Sequence, residues 1–171
     1  MTELTIPEGS GDVILSYVRR KSAEWTTAQL VQRVQEGVAR LEAAARAVPA
    51  AHLTLTPPGE EWSPLLCLQH VIDINRGTAS RCRGVAATGT LPAAPPPPVP
   101  ADRDQALLEH ATYLDSVSDL VMELPARHFL EITWPHPFLG ALNWREWFLT
   151  IRVHCLAHAD QIEAMTRALA E

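Results

Sequence analysis

Cysteine is scarce in this chain. Cys67, Cys82 and Cys155 are an odd number and lack CxxC spacing. A disulfide framework is excluded, and the three read as reduced cytosolic thiols. Basic residues are also short: 14 Lys and Arg stand against 20 Asp and Glu, a net charge of −6. The basic run Arg19, Arg20, Lys21 is short and reads as a solvated segment. A nucleic-acid backbone or an anionic membrane surface is therefore disfavoured as a partner. No apolar run approaches the roughly 20 residues of a membrane span. The first twelve residues, MTELTIPEGSGD, carry neither a basic nor an apolar block of the secretory kind. A cytoplasmic protein is the expectation. Three common catalytic devices are missing too: a Ser/His/Asp elbow, a glycine phosphate loop and an HExxH motif.

What the chain does have is apolar content, 47% against 20% charged. That composition suits one globular domain spanning 1–171 with a sizeable core. Residues 1–21, with Pro7, Gly9 and Gly11, read as an irregular N-terminal arm, within which Val13 to Val18 are either a short helical turn or an ordered arm. Residues 23–48 place Leu30, Val34, Val38, Leu41 and Ala45 on one helical face, and Pro49 ends the run. Ser63 and Pro64 start a second helix, which continues to about residue 87. Residues 88–101 break the pattern, with four consecutive prolines from Pro95 to Pro98. Such a segment favours an extended crossover; a docking motif for a proline-binding module is the functional alternative. Asp102 or Asp104 caps a third helix, with Leu107, Ala111, Leu114, Val117 and Val121 on its inner face. Residues 125–142 read as non-helical, with Phe129 to Trp134 as a short extended segment and Gly140 as a bend. Asn143, with Glu146 three residues on, caps the last helix, which runs to the end of the chain. The sum is an all-α four-helix bundle with a long Pro-rich crossover between helices 2 and 3.

The last helix carries the chemical signal. Trp147, Ile151, Cys155, Ile162 and Met165 form its apolar stripe, and His154 and His158 lie four apart inside it. At about 3.6 residues per turn, that spacing stacks two imidazoles one turn apart. Two such rings can share a metal ion. On the second helix, His70 falls between Leu66 and Ile74 on one side. Read alone, it is a hydrogen-bonded core histidine; with His154 and His158 it becomes a third ligand. Asp73 and Gln161 each lie three residues from a candidate ligand and are the candidates to orient the rings. His110 reads as structural and His136 as a surface residue.

The motifs together resemble a known family. Trp62-Ser63-Pro64 leads to His70. Trp-Pro-His-Pro-Phe-Leu-Gly follows at 134–140, Asn-Trp-Arg-Glu-Trp at 143–147, and His-Cys-Leu-Ala-His-Ala-Asp-Gln-Ile at 154–162. Their order and spacing resemble the DinB-like or YfiT-like metalloenzyme superfamily from about residue 23 onward. The resemblance implies a four-helix bundle, often a homodimer, with a divalent ion (zinc, nickel or iron) on His70, His154 and His158. It also implies a metal-dependent transferase. A low-molecular-weight thiol of the mycothiol, bacillithiol or glutathione type, or else water, would be activated at the ion to attack a small electrophile. A metal-binding or stress-related bundle without turnover is the alternative, and a purely structural bundle the third.

Overall fold

The computed structural model describes residues 10–96 and 102–171. Five α-helices and one β-hairpin follow in order: α1 Ser10–Glu24, α2 Thr27–Ala47, α3 Pro64–Thr88, α4 Arg103–Glu123, β1 Thr133–His136, β2 Gly140–Asn143 and α5 Trp144–Ala168. α5 is the central element. It packs most extensively against α2 and next against α3, while α4 closes on α3 and α2, and α1 lies along α5.

Local chemistry fixes where the long helices begin. Thr26 and Gln29 form a capping box at α2, and Asn143 and Glu146 form another at α5. Ser63 accepts from the Leu66 amide ahead of Pro64, and Asp102 accepts from the Gln105 amide ahead of α4. Each side-chain cap satisfies amides that a helix start leaves unbonded. α3 ends on Gly89 at φ 67°, where an added Cβ would strike the Phe129 ring at 2.8 Å. The crossover leaves from there, and Pro92 lies directly over Gly84. Pro97 and Pro98 fall outside the described residues.

α2 and α5 approach closely because Gly37 has no side chain: a Cβ there would meet the Arg152 backbone at 3.1 Å. The same pair is tied by Arg40, whose guanidinium donates to Glu163 at 2.6 and 2.8 Å and to Asp160 at 3.2 Å. These groups are largely exposed, so they fix register more than they add stability.

Two elements differ from the sequence expectation. The described part of the N-terminal arm is a helix, α1, rather than irregular chain. Val18 is fully buried, and Ile14, Leu15 and Tyr17 pack on the core. Tertiary burial overrides the helix-weakening Gly11 in its first turn. The extended segment begins later than Phe129 and has a partner. β1 and β2 pair antiparallel, with Trp134 opposite Leu142 and His136 opposite Gly140. Pro135 and Pro137 hid this hairpin from pattern reading, since proline seldom marks a paired strand.

Arg145 joins these pieces. It is only 4% exposed. Its guanidinium donates to the Ser22 carbonyl at 3.1 Å, the Trp25 carbonyl at 2.7 Å, the Ala126 carbonyl at 3.1 Å and the Thr27 hydroxyl at 3.1 Å. Carbonyls at the end of α1, which lack helical partners, thus receive a cation from the start of α5.

Candidate metal centre

α5 is held at its N-terminus by the hairpin. Asn143 is both the last residue of β2 and the cap of α5. Trp134 stacks on Trp147 at 5.5 Å between ring centres, and the Trp147 indole donates to the Trp134 carbonyl at 3.1 Å. Two turns further along this anchored helix come His154 and His158. Across the α3–α5 interface stands His70. One ring nitrogen from each of the three lies within 4.8 Å of the other two. The ring centres are 5.4 Å (His70–His154), 5.3 Å (His70–His158) and 4.6 Å (His154–His158) apart. Trp62, just ahead of the Ser63 cap, covers one side, 4.7 Å from His70 and 6.3 Å from His158.

His158 is fully buried, and its tautomer follows from its neighbours. Its Nδ1 lies 2.8 Å from Gln161 Oε1, while the Gln161 amide nitrogen donates to Glu60 at 3.3 Å. A carboxylate only accepts, so the amide oxygen faces the ring and Nδ1 carries the proton. Nε2 then bears a lone pair, and it is buried without a hydrogen-bond partner. Leaving such an acceptor unmet costs about 1–3 kcal/mol. Burial lowers the pKa of all three rings, that of His154 furthest, where the other histidines add their repulsion. Three neutral imidazoles facing one point are a cation's donor set.

Comparison with known proteins agrees on the family. The description of the DinB superfamily matches residues 33–162. The chain belongs to the DinB superfamily. A solved structure described as TT2238, a four-helix bundle protein, superposes with a TM-score of 0.61 at 22% identity, covering 81% of this chain and 99% of that one. At that identity the likeness shows the fold. None of the curated proteins matches the chain.

Within this DinB-superfamily chain, the other residues singled out in the sequence fall differently. Gln161 Oε1 lies 2.8 Å from His158 Nδ1. Asp73 does not orient a ring: it is exposed and reaches His70 only through its charge, which pulls that pKa upward. The ring-contacting residue on α3 is Asn75, 1% exposed, whose Oδ1 lies 3.2 Å from His154 Nδ1. Its place one turn past Val71 on the buried face was the signal available. The apolar side drawn through Leu66 and Ile74 is likewise corrected: they are 52% and 46% exposed. α3 packs on both α4 and α5, so its inner face is broad, running through Cys67, Val71, Asn75 and Cys82 on one edge and Leu68, Ile72 and Ala79 on the other. His70 sits at that face's margin, half-buried.

His110 is buried, 3.1 Å from the Asn75 amide nitrogen. His136 is not a plain surface residue. The hairpin folds it back against Trp147 at 4.7 Å, and its Nδ1 accepts from the Phe138 and Leu139 amides. Burial pushes both pKa values down to about 4. The three cysteines are free and buried. Cys67 and Cys155 are each pushed up to about 12 by that burial, and Cys82 is pushed higher still. None is a nucleophile at neutral pH. Among the described residues, no helix is long and apolar enough to cross a membrane.

Proposed function

We propose that His70, His154 and His158 hold one divalent cation and that the chain is a metal-dependent transferase acting through a low-molecular-weight thiol or water. The observation that carries this reading is the buried His158 Nε2, without a hydrogen-bond partner among the described residues, on a ring clustered with the imidazoles of His70 and His154. Imidazole donors suit zinc, nickel or iron, and three of them leave coordination positions for a small molecule. A cation bound there would lower the pKa of a thiol or water enough to make it nucleophilic near neutral pH.

The chain's own groups supply the rest. With all three cysteines buried and protonated, the nucleophile comes from outside the protein. Leu66 and Ile74 are exposed one turn either side of His70. Trp62 closes the opposite side over His70 and His158. The free, buried thiols accord with a cytoplasmic setting.

Turnover tests the reading. A fluorogenic electrophile such as monochlorobimane is offered with a panel of thiols, before and after dialysis against a chelator. The expected result is thiol-dependent conversion that falls on chelation, returns with added zinc or nickel, and is absent in His154→Ala. Conversion that survives both chelation and His154→Ala would refute it. Metal binding without turnover of any thiol or ester would leave a metal-binding bundle protein.

A further inference from the structure

We propose that Asn75 decides which nitrogen His154 presents to the site, and that His110, from α4, holds Asn75 in the orientation required. Only the consequence for metal affinity rests on the metal reading; the tautomer claim stands separately.

The buried Asn75 amide has three polar partners among the described residues. Asn75 Oδ1 has one, His154 Nδ1 at 3.2 Å. Asn75 Nδ2 has two, His110 Nε2 at 3.1 Å and Cys155 Sγ at 3.2 Å. An amide nitrogen carries two hydrogens, and an amide oxygen carries none. In the observed orientation, each N–H has its own acceptor and the oxygen accepts one proton. In the reversed orientation, the NH₂ group would face His154 alone and one buried N–H would go unmet. The two-against-one arrangement therefore selects the orientation seen. With Oδ1 facing it, His154 Nδ1 must carry the proton, because an amide oxygen offers nothing to a bare nitrogen. His154 Nε2 then keeps its lone pair. The result matches what Glu60 and Gln161 achieve at His158 by a different route.

His110 is thus a positioning residue two bonds removed from the site. It contacts neither His70 nor His158 through any hydrogen bond, yet it supplies one of the two acceptors that hold the amide. Without it, each side of Asn75 has a single partner, and the preference lapses.

Long-range ¹H–¹⁵N correlation spectra of the apoprotein, with His154 assigned by comparison with His154→Ala, read the tautomer directly. The wild-type ring is expected to carry its proton on Nδ1. In His110→Phe and in Asn75→Leu, a fraction moves to Nε2, while Asn75→Asp, which keeps an acceptor toward the ring, retains Nδ1–H. Zinc affinity by chelator competition should fall about 10–100-fold in Asn75→Leu, less in His110→Phe, and little in Asn75→Asp. A packing role alone would lower the melting temperature and leave the tautomer unmoved. Should Asn75→Leu fail to fold, His110→Phe carries the test. A wild-type His154 protonated on Nε2, or an unchanged tautomer in His110→Phe, overturns the proposal. Spectra as expected with no zinc bound by any form would sink the metal reading and leave this inference intact.

Discussion

Replacing Arg145 with Lys keeps the charge but removes the planar fork that serves four acceptors from three segments. Buried carbonyls lose their donor, and the expected loss is about 2–3 kcal/mol in urea unfolding at constant m-value. A loss under half a kcal/mol, on the order of a surface substitution, would mean the clamp is dispensable. His136 and His110 make a second prediction. Burial holds both near a pKa of about 4, against an ordinary value of 6.5. The unfolded chain therefore binds protons that the folded chain refuses. Their contribution is fully present above about pH 6.5 and is lost as pH falls from there toward about 4. The apoprotein's melting temperature should drop across that window, and His136→Asn, which keeps an acceptor for the Phe138 and Leu139 amides, should flatten part of the slope. An identical slope in that variant would contradict the assignment. At this scale, spacing shows that His154 and His158 share one side of α5, because four residues is about one helical turn. Asn75 was not legible in this way: Asp73 and Asn75 are equally polar in the sequence, and only the width of α3's buried face puts one outside and the other in the core.

Two helix-interior glycines, Gly37 and Gly77, separate propensity from packing at the level of whole elements. Glycine costs about 1 kcal/mol against alanine inside a helix. At Gly77, a Cβ would meet nothing within 4 Å, so Gly77→Ala should stabilise by close to that amount. At Gly37, the Cβ would press on the Arg152 backbone at 3.1 and 3.2 Å, so α2 and α5 must part and Gly37→Ala should lower the melting temperature despite the better propensity. Equal stabilisation by both would show that the α2–α5 approach is not tight. The starts of α3 to α5 were readable because caps are local chemistry: Ser63 before Pro64, Asp102, and Asn143 with Glu146; the start of α2 at Thr27, read as residue 23, was not. The full extent of α1, beyond a short turn at Val13 to Val18, and the hairpin were not readable either, because neither has a local signal. α1 exists by burying Val18 and its neighbours along α5, and β1 exists by pairing with β2.

Across the whole molecule, the bundle brings together residues that lie 84 and 88 positions apart, His70 with His154 and His158. The order of helices made a convergence of these rings expected. Their depth did not follow from the sequence, since it depends on how far α3 slides along α5, which contacts between these two helices set, such as Cys82 Sγ with the Trp144 carbonyl and Asn75 with His154 and Cys155. The four-helix bundle and the superfamily are as the sequence suggested. The central claim is that three imidazoles share one cation, and the most direct measurement is the metal content of protein purified without a histidine tag. The account predicts about one divalent ion per chain, lost in His70→Ala, His154→Ala and His158→Ala alike and retained in Asp73→Ala. Wild-type protein free of metal after exposure to zinc and nickel, or a His158→Ala protein that keeps its ion, would contradict it.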